Sequence, residues 1–275
     1  MIYSNAFRMM AQEGHLASTS LLAGFENINK IHYDKPGTVY SALFQLATGF
    51  ERIMKVALIL DHKVRHDLNN PTDKQLKAFG HSVSGLYDTL AKAHPSIDGW
   101  VATDSLHNEF LLVVSEFARG SRYYNIDQLV SGAKNPDPLV RWAGLHLDIA
   151  RHYFSYKKIS GVMDRARKHC ERFGQFGYEM GLRGEYDLTI DVTFEMEIAR
   201  LSRGHCVWVA IETLKPVCAL IEKLCGQIHK MEIQMGHANP TVPFMAEFFP
   251  FGMTERQTAI RRKAWSSLFF IAGRV

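Results

Sequence analysis

Residues 41–60 read SALFQLATGFERIMKVALIL, and the fold class turns on them. On a helical wheel Ser41, Gln45, Thr48, Glu51, Arg52 and Lys55 share one arc of roughly 120°. Leu43, Leu46, Phe50, Ile53, Met54, Ala57, Leu58 and Leu60 fill nearly all the rest of the circle. An apolar arc that wide belongs to a helix touched from several sides, with one polar strip left for water or for a cleft. Burying about eight such side chains at roughly 1.5–3 kcal/mol each makes this helix a dominant part of the core. The expected architecture is all-α, with this helix central to a bundle.

On the N-terminal side, residues 3–30 read as a first helix, and HYDKPGT breaks the chain because Pro36 and Gly37 favour a turn. On the C-terminal side, DHKVRHDLNNPTD reads as a polar loop. Thr72 and Asp73 are cap residues for a helix over residues 74–92. HPSIDG is a turn, and a fourth helix runs through SLHNEFLLVVSEFARGSRYYN. GAKNPDP, with two prolines and one glycine, marks the best domain boundary, giving a bundle over 1–131 and a helical extension or second helical domain over 132–275. In the second part, residues 139–173 read as one long helix or two stacked ones with a break at Gly161, and FGQFGYEMGLRGEYD as loop. Residues 188–203 and 206–234 read as two helices, Pro216 kinking the second or marking its first turn. PFMAEFFPFGM is an apolar loop expected to pack on the bundle, and Thr254 begins a last helix with capping-box spacing.

Bulk properties narrow the function. An apolar fraction of 47% with 22% charged residues is that of a globular protein. No apolar run approaches the roughly 20 residues that span a bilayer, and the N-terminus lacks the apolar centre of a signal peptide. Four cysteines without a C-x-x-C pair suggest reduced thiols and a cytoplasmic location. Gly-rich phosphate loop, nucleophile elbow, H-E-x-x-H and zinc-knuckle patterns are all missing from the sequence. Cys218, Glu222, Cys225 and His229 fall along one helical stripe, which reads as a packing face, since one straight helix rarely closes a zinc site. No metal or cofactor is expected. RARKHCER, residues 165–172, reads as a solvated helix face. In a groove with Tyr153, Tyr156 and Lys157 it would track a phosphate backbone.

Three small pieces remain. Glu51 and Lys55 lie four apart on the polar strip, in the favourable order for a helical ion pair. Gly80 and His81 open the segment GHSVSGLY. Arg122, Tyr123, Tyr124 and Asn125 end the fourth helix. Taken singly, each reads as ordinary helix chemistry.

In order, these pieces resemble the HEPN superfamily over residues 38–130. In that family a bundle helix carries an acidic residue and a lysine four later, as Glu51 and Lys55 do. A Gly-His or Thr-His then opens the next helix, as Gly80 and His81 do, and a later helix ends in an Arg-Tyr element, as Arg122 and Tyr123 do. The resemblance implies an up-and-down four-helix bundle, a homodimer, and a polar cleft built from Glu51, Lys55, His81, Arg122, Tyr123 and Asn125. It also implies a metal-independent endoribonuclease or RNA-binding effector of a bacterial toxin or anti-phage system. The alternative is a catalytically inactive helical module for a nucleotide or a protein. Implied partners are RNA or a nucleotide, and an antitoxin or nucleotidyltransferase.

Ribonuclease members carry Arg, four to six residues, then His. Imidazole moves the 2′-hydroxyl proton while guanidinium steadies the phosphorane charge. Arg8/His15, Arg141/His146 and Arg200/His205 all match that spacing, and thirteen histidines make chance matches common. Position singles out Arg141 and His146, just beyond the matching region, as the catalytic pair, with His81 beside them.

Overall fold

The computed structural model describes residues 4–132, 135–182 and 184–268. Among these residues the chain forms ten α-helices and one short β-hairpin, so the fold is all-α. The helices are α1 (Asn5–Asn29), α2 (Gly37–Arg65), α3 (Asp73–Ala78), α4 (Val83–Ala93), α5 (Leu106–Arg119), α6 (Tyr124–Val130), α7 (Pro138–Tyr153), α8 (Tyr156–Phe173), α9 (Thr189–Gln234) and α10 (Arg256–Arg261).

Residues 41–60 lie inside α2, and their apolar arc is covered on three sides. α1, α4, α5 and α9 all pack on it, and Leu43, Leu46, Phe50, Ile53, Met54, Ala57 and Leu60 are fully buried. α1 and α2 approach through glycines. A Cβ on Gly49 would stand 2.6 Å from the Leu21 side chain, and one on Gly24 2.9 Å from Leu46. α2 also outruns its expected end, because Asp61 and Arg65 pair at i, i+4 and the buried Lys63 Nζ donates to the Leu68 carbonyl at 3.0 Å.

The expected helix over 74–92 is two helices. Thr72 and Gln75 close a capping box on α3. Gly80 then adopts φ +62°, and the Ser82 hydroxyl restarts the chain as α4 by accepting from the Gly85 amide at 3.2 Å. α7 and α8 are likewise separate, but the break falls at Phe154 and Ser155, where Ser155 caps α8; Gly161 sits inside α8.

The larger departure is α9. The two helices expected around residue 205 are one helix of 46 residues, and neither Gly204 nor Pro216 ends it. Pro216 removes one intrahelical donor, yet α9 is surrounded by α1, α2, α5, α7, α8 and α10, and tertiary burial of this extent overrides local propensity. Gly204 permits the crossing with α10, since a Cβ there would meet the Ile260 carbonyl oxygen. By length and composition α9 is apolar enough to cross a membrane, contrary to the reading that no stretch comes close; 72% of that window is buried inside the protein, as in the core helix of a globular fold.

One core runs from Met10 to Trp265 across the expected boundary near residue 131, because α9 packs on α2 and α5 as well as on α7, while a smaller cluster of Ala150, Phe154, Val162 and Ile198 seats α8 on α9. Met245, Phe249 and Phe251 of the apolar loop are buried in it. Glu26 of α1 accepts from the Trp265 and Ser266 amides at 2.8 Å each, so the C-terminal segment is tied back to the first helix. The Thr254 capping box does not form; Glu255 holds the N-cap position of α10 without a side-chain bond. The glycine-rich segment expected to be loop contains the hairpin, β1 (Tyr178–Met180) antiparallel to β2 (Tyr186–Leu188).

The Gly49 contact gives a direct test. Gly49→Ala forces a methyl against the Leu21 side chain and its backbone nitrogen 2.9 Å away, an overpacking that typically costs about 1–3 kcal/mol. A thermal melt should show a lower Tm. An unchanged Tm would mean that α1 and α2 are not held at this distance.

Candidate functional site

The polar strip of α2 forms the floor of a cleft of about 750 Å³. Thr48, Glu51, Arg52 and Lys55 line it from α2, Glu13 from α1, His81 from the α3–α4 connection, and Arg119 and Arg122 from the end of α5 and the turn after it. Four of the residues singled out in the sequence, Glu51, Lys55, His81 and Arg122, thus come together from three separate segments.

Local folding explains the convergence. The positive φ of Gly80 turns the chain, so His81 precedes α4 rather than lying on it. The buried Ser115 hydroxyl of α5 accepts from the Ser84 amide at 3.2 Å and pairs with the Ser84 hydroxyl at 3.1 Å, which fixes the start of α4 against α5. α5 ends at Gly120, and the following 3-10 turn, Ser121–Tyr123, presents Arg122. Arg119 and Arg122 are three apart, so the same turn of chain brings both to one rim. Phe44 and Phe117, edge to face at 4.9 Å between ring centroids, add an apolar wall.

Charge in the cleft centres on Glu51. Its Oε1 accepts from Lys55 Nζ at 2.7 Å and lies 2.9 Å from His81 Nδ1. Burial alone would raise this carboxyl, but hydrogen bonds from Lys55 and His81, with their charge, outweigh it and hold it below the ordinary 4.5. A carboxylate on Nδ1 sets the imidazole tautomer and leaves Nε2 to act outward. Arg52 is matched by Glu13 at 2.6 Å. Arg119 and Arg122 take part in no ion pair among the described residues, so the cleft keeps two uncompensated guanidinium groups. That arrangement suits an anion, and the fork geometry of Arg suits a phosphate.

The other expected residues lie elsewhere. Tyr123 is exposed and packs under the Arg122 guanidinium at 5.1 Å from its ring centre, outside the cleft lining. Asn125 is exposed on α6. Arg141 and His146 do not form a site. Arg141 bridges Glu109 at 2.6 Å and Glu116 at 2.9 Å, clamping α7 to α5. His146 is fully buried, with Nδ1 2.5 Å from the Ser202 hydroxyl, and burial aided by the Arg203 charge pushes its pKa down to about 3. An imidazole held neutral and away from solvent cannot exchange protons with a substrate. Five residues apart on one helix, the two side chains also leave α7 on different faces.

Arg200 pairs with Glu197, while His205 turns inward between Tyr153 and Phe154. Arg8 and His15 do share a shallow hollow of about 480 Å³, on the side of α1 away from Glu13. The stripe of Cys225 and His229 packs on the 240–251 segment, His229 Nε2 lying 2.9 Å from the Val242 carbonyl oxygen.

Sequence reasoning missed Arg119, Glu13 and the aromatic wall. The i, i+3 spacing of Arg119 to Arg122 was a usable signal. Glu13, Phe44 and Phe117 gave none, because their roles depend on how α1 and α5 sit on α2. No family model, curated protein or solved structure matches the chain.

The Glu51 shift has a defined pH signature. A carboxyl whose pKa folding lowers stabilises the native state above its unfolded value and loses that contribution as pH falls through the folded value. Wild type should therefore exceed Glu51→Gln in denaturant midpoint at neutral pH, and the gap should close below pH 4.5. A gap constant down to about pH 3 would mean that Glu51 is not held as the anion.

Proposed function

We propose that the chain is a HEPN-like protein that binds the phosphodiester backbone of RNA in the α2 cleft and cleaves it without a metal. The observation that supports this reading is the meeting of Glu51, Lys55, His81 and Arg122 around one hollow. α1, α2, α4 and α5 serve as the four helices of the bundle. Arg119 and Arg122 hold the phosphate, and the Phe44 wall accepts a base.

In the proposed step, His81 Nε2 takes the 2′-hydroxyl proton while Glu51, on Nδ1, stabilises the imidazolium that forms. The 2′ oxygen attacks phosphorus, the 5′ oxygen leaves with a proton from solvent, and a 2′,3′-cyclic phosphate remains. Arg122 offsets charge on the pentacoordinate phosphorus. In the same reading the protein is a cytoplasmic homodimer and a toxin or anti-phage effector, with an antitoxin or nucleotidyltransferase as partner. Its four free cysteines suit a reducing compartment.

A second reading is a binding module without catalysis, for a nucleotide or a protein. It is favoured by one observation: His81 is the only histidine lining the cleft among the described residues, and in-line cleavage is faster when a second group protonates the leaving oxygen.

The test is incubation with an end-labelled 20-nucleotide RNA in EDTA. Wild type should yield fragments ending in cyclic phosphate, and His81→Ala should slow this by about 10²–10⁴-fold. RNA that is bound but uncut, with affinity lost in Arg122→Ala, would replace the enzyme by the binding module. RNA neither bound nor cut would remove both.

A further inference from the structure

Away from the cleft, residues 156–182 and 184–188 expose a concentration of aromatic and basic side chains. α8 carries six Lys/Arg against two Asp/Glu, a surplus equal to the net charge of +4 of the whole chain. Lys157, Arg165, Lys168 and Arg172 fall within about 80° on its wheel, roughly opposite the buried seam of Val162, Ala166 and Cys170. All four are exposed, and none is in an ion pair among the described residues. Gly161 lies in the middle of the stripe, where Arg165 passes 3.8 Å from the position a Cβ would take. The stripe is about 23 Å long.

The hairpin continues directly from α8, and its register decides what it presents. Tyr178 pairs with Leu188 and Met180 with Tyr186, so these four side chains share one face, while Glu179 and Asp187 take the other. That apolar face is turned to solvent: Tyr178 is 74% exposed, Tyr186 70%, Met180 53% and Leu188 45%. Phe173 and Phe176, in the connection between α8 and β1, are exposed as well. Arg172 lies over the Phe173 ring at 5.5 Å from its centre, where the basic stripe meets the aromatic surface. A two-stranded hairpin is marginal by itself, and an apolar face left bare on it marks a contact surface.

We propose that α8 and the hairpin form a docking platform for single-stranded nucleic acid, bases stacking on the Tyr178–Tyr186 face and phosphates running along the α8 stripe. Unpaired cations in a line with exposed rings at one end meet both needs of such a ligand. Other occupants fit less well. A second copy would set one positive stripe against another. A membrane surface would need α8 to offer an apolar face, and that face is already buried in the protein. The platform is separate from the α2 cleft and stands without it.

The experiment is fluorescence anisotropy with a labelled 12-nucleotide oligo-dT, which lacks the 2′-hydroxyl and so cannot be cut by the mechanism proposed for the cleft. Two double variants are compared with wild type, Tyr178→Ala/Tyr186→Ala and Lys168→Glu/Arg172→Glu, with circular dichroism confirming the fold of each. Both should bind at least tenfold more weakly, and the charge variant should show a flatter dependence of log Kd on log salt. Unchanged affinity in either variant would overturn the platform, as would equally tight binding of duplex DNA. So would wild type that ignores the oligonucleotide yet sediments with phosphatidylserine vesicles. Loss of affinity in Arg122→Ala but not in the two double variants would assign the binding to the cleft instead. Failure here leaves the RNA-cleavage test untouched.

Discussion

Covering α2 is the constraint from which the architecture follows. A helix whose apolar arc takes up about two thirds of its circumference must be packed from several directions, and here α1, α4, α5 and α9 all meet it. The one arc they leave open is polar, and α1, the approach to α4 and the end of α5 supply its walls. The cleft is thus a by-product of core packing: whatever holds α1, α4 and α5 on α2 also holds Glu13, His81 and Arg119 around the strip. Close helix approach at Gly24 and Gly49 matters for the same reason, since a wider gap between α1 and α2 would move Glu13 away from Arg52.

Within that frame Glu51 acts as the electrostatic centre. One carboxylate oxygen meets both a lysine from its own helix and a histidine from a different connection. The pairing is largely local for Lys55, where helical geometry alone supplies it, and tertiary for His81, which reaches Glu51 only because Gly80 turns the chain. Lys55 and Glu51 alone would contribute little at a surface. Orienting the imidazole is what the added partner brings. The buried His146, by contrast, is taken up by the core: its Nδ1 lies 2.5 Å from the Ser202 hydroxyl, and burial keeps the ring neutral.

How much was legible in the sequence depended on the range of the interaction. α2, its polar strip and the i, i+4 pair at Glu51 and Lys55 were readable because periodicity alone defines them. That His81 and Arg122 share a hollow with them was an expectation carried only by the family resemblance, not by periodicity or by any one residue. The Arg141/His146 pairing failed because spacing along a helix does not say which way side chains face; Glu109 and Glu116 capture the arginine, and Ser202 captures the histidine. The continuity of α9 was missed because Gly204 reads as a break in isolation, while Pro216 reads as a kink or a first turn; only burial on all sides carries the helix through both. The hairpin was missed for the converse reason. Its three-residue strands are too short for alternation to show, and the four glycines in and before it, Gly174, Gly177, Gly181 and Gly184, read as loop.

The claim that binds these observations together is that the polar strip of α2 is the floor of a phosphate-binding site. A chemical-shift map recorded while titrating a uridine trinucleotide tests it most directly. The expected result is perturbation of the amides of Glu51, Lys55, His81, Arg119 and Arg122 as one set, saturating with a single Kd. Shifts confined to other surfaces, with these five amides unmoved at saturation, would contradict it.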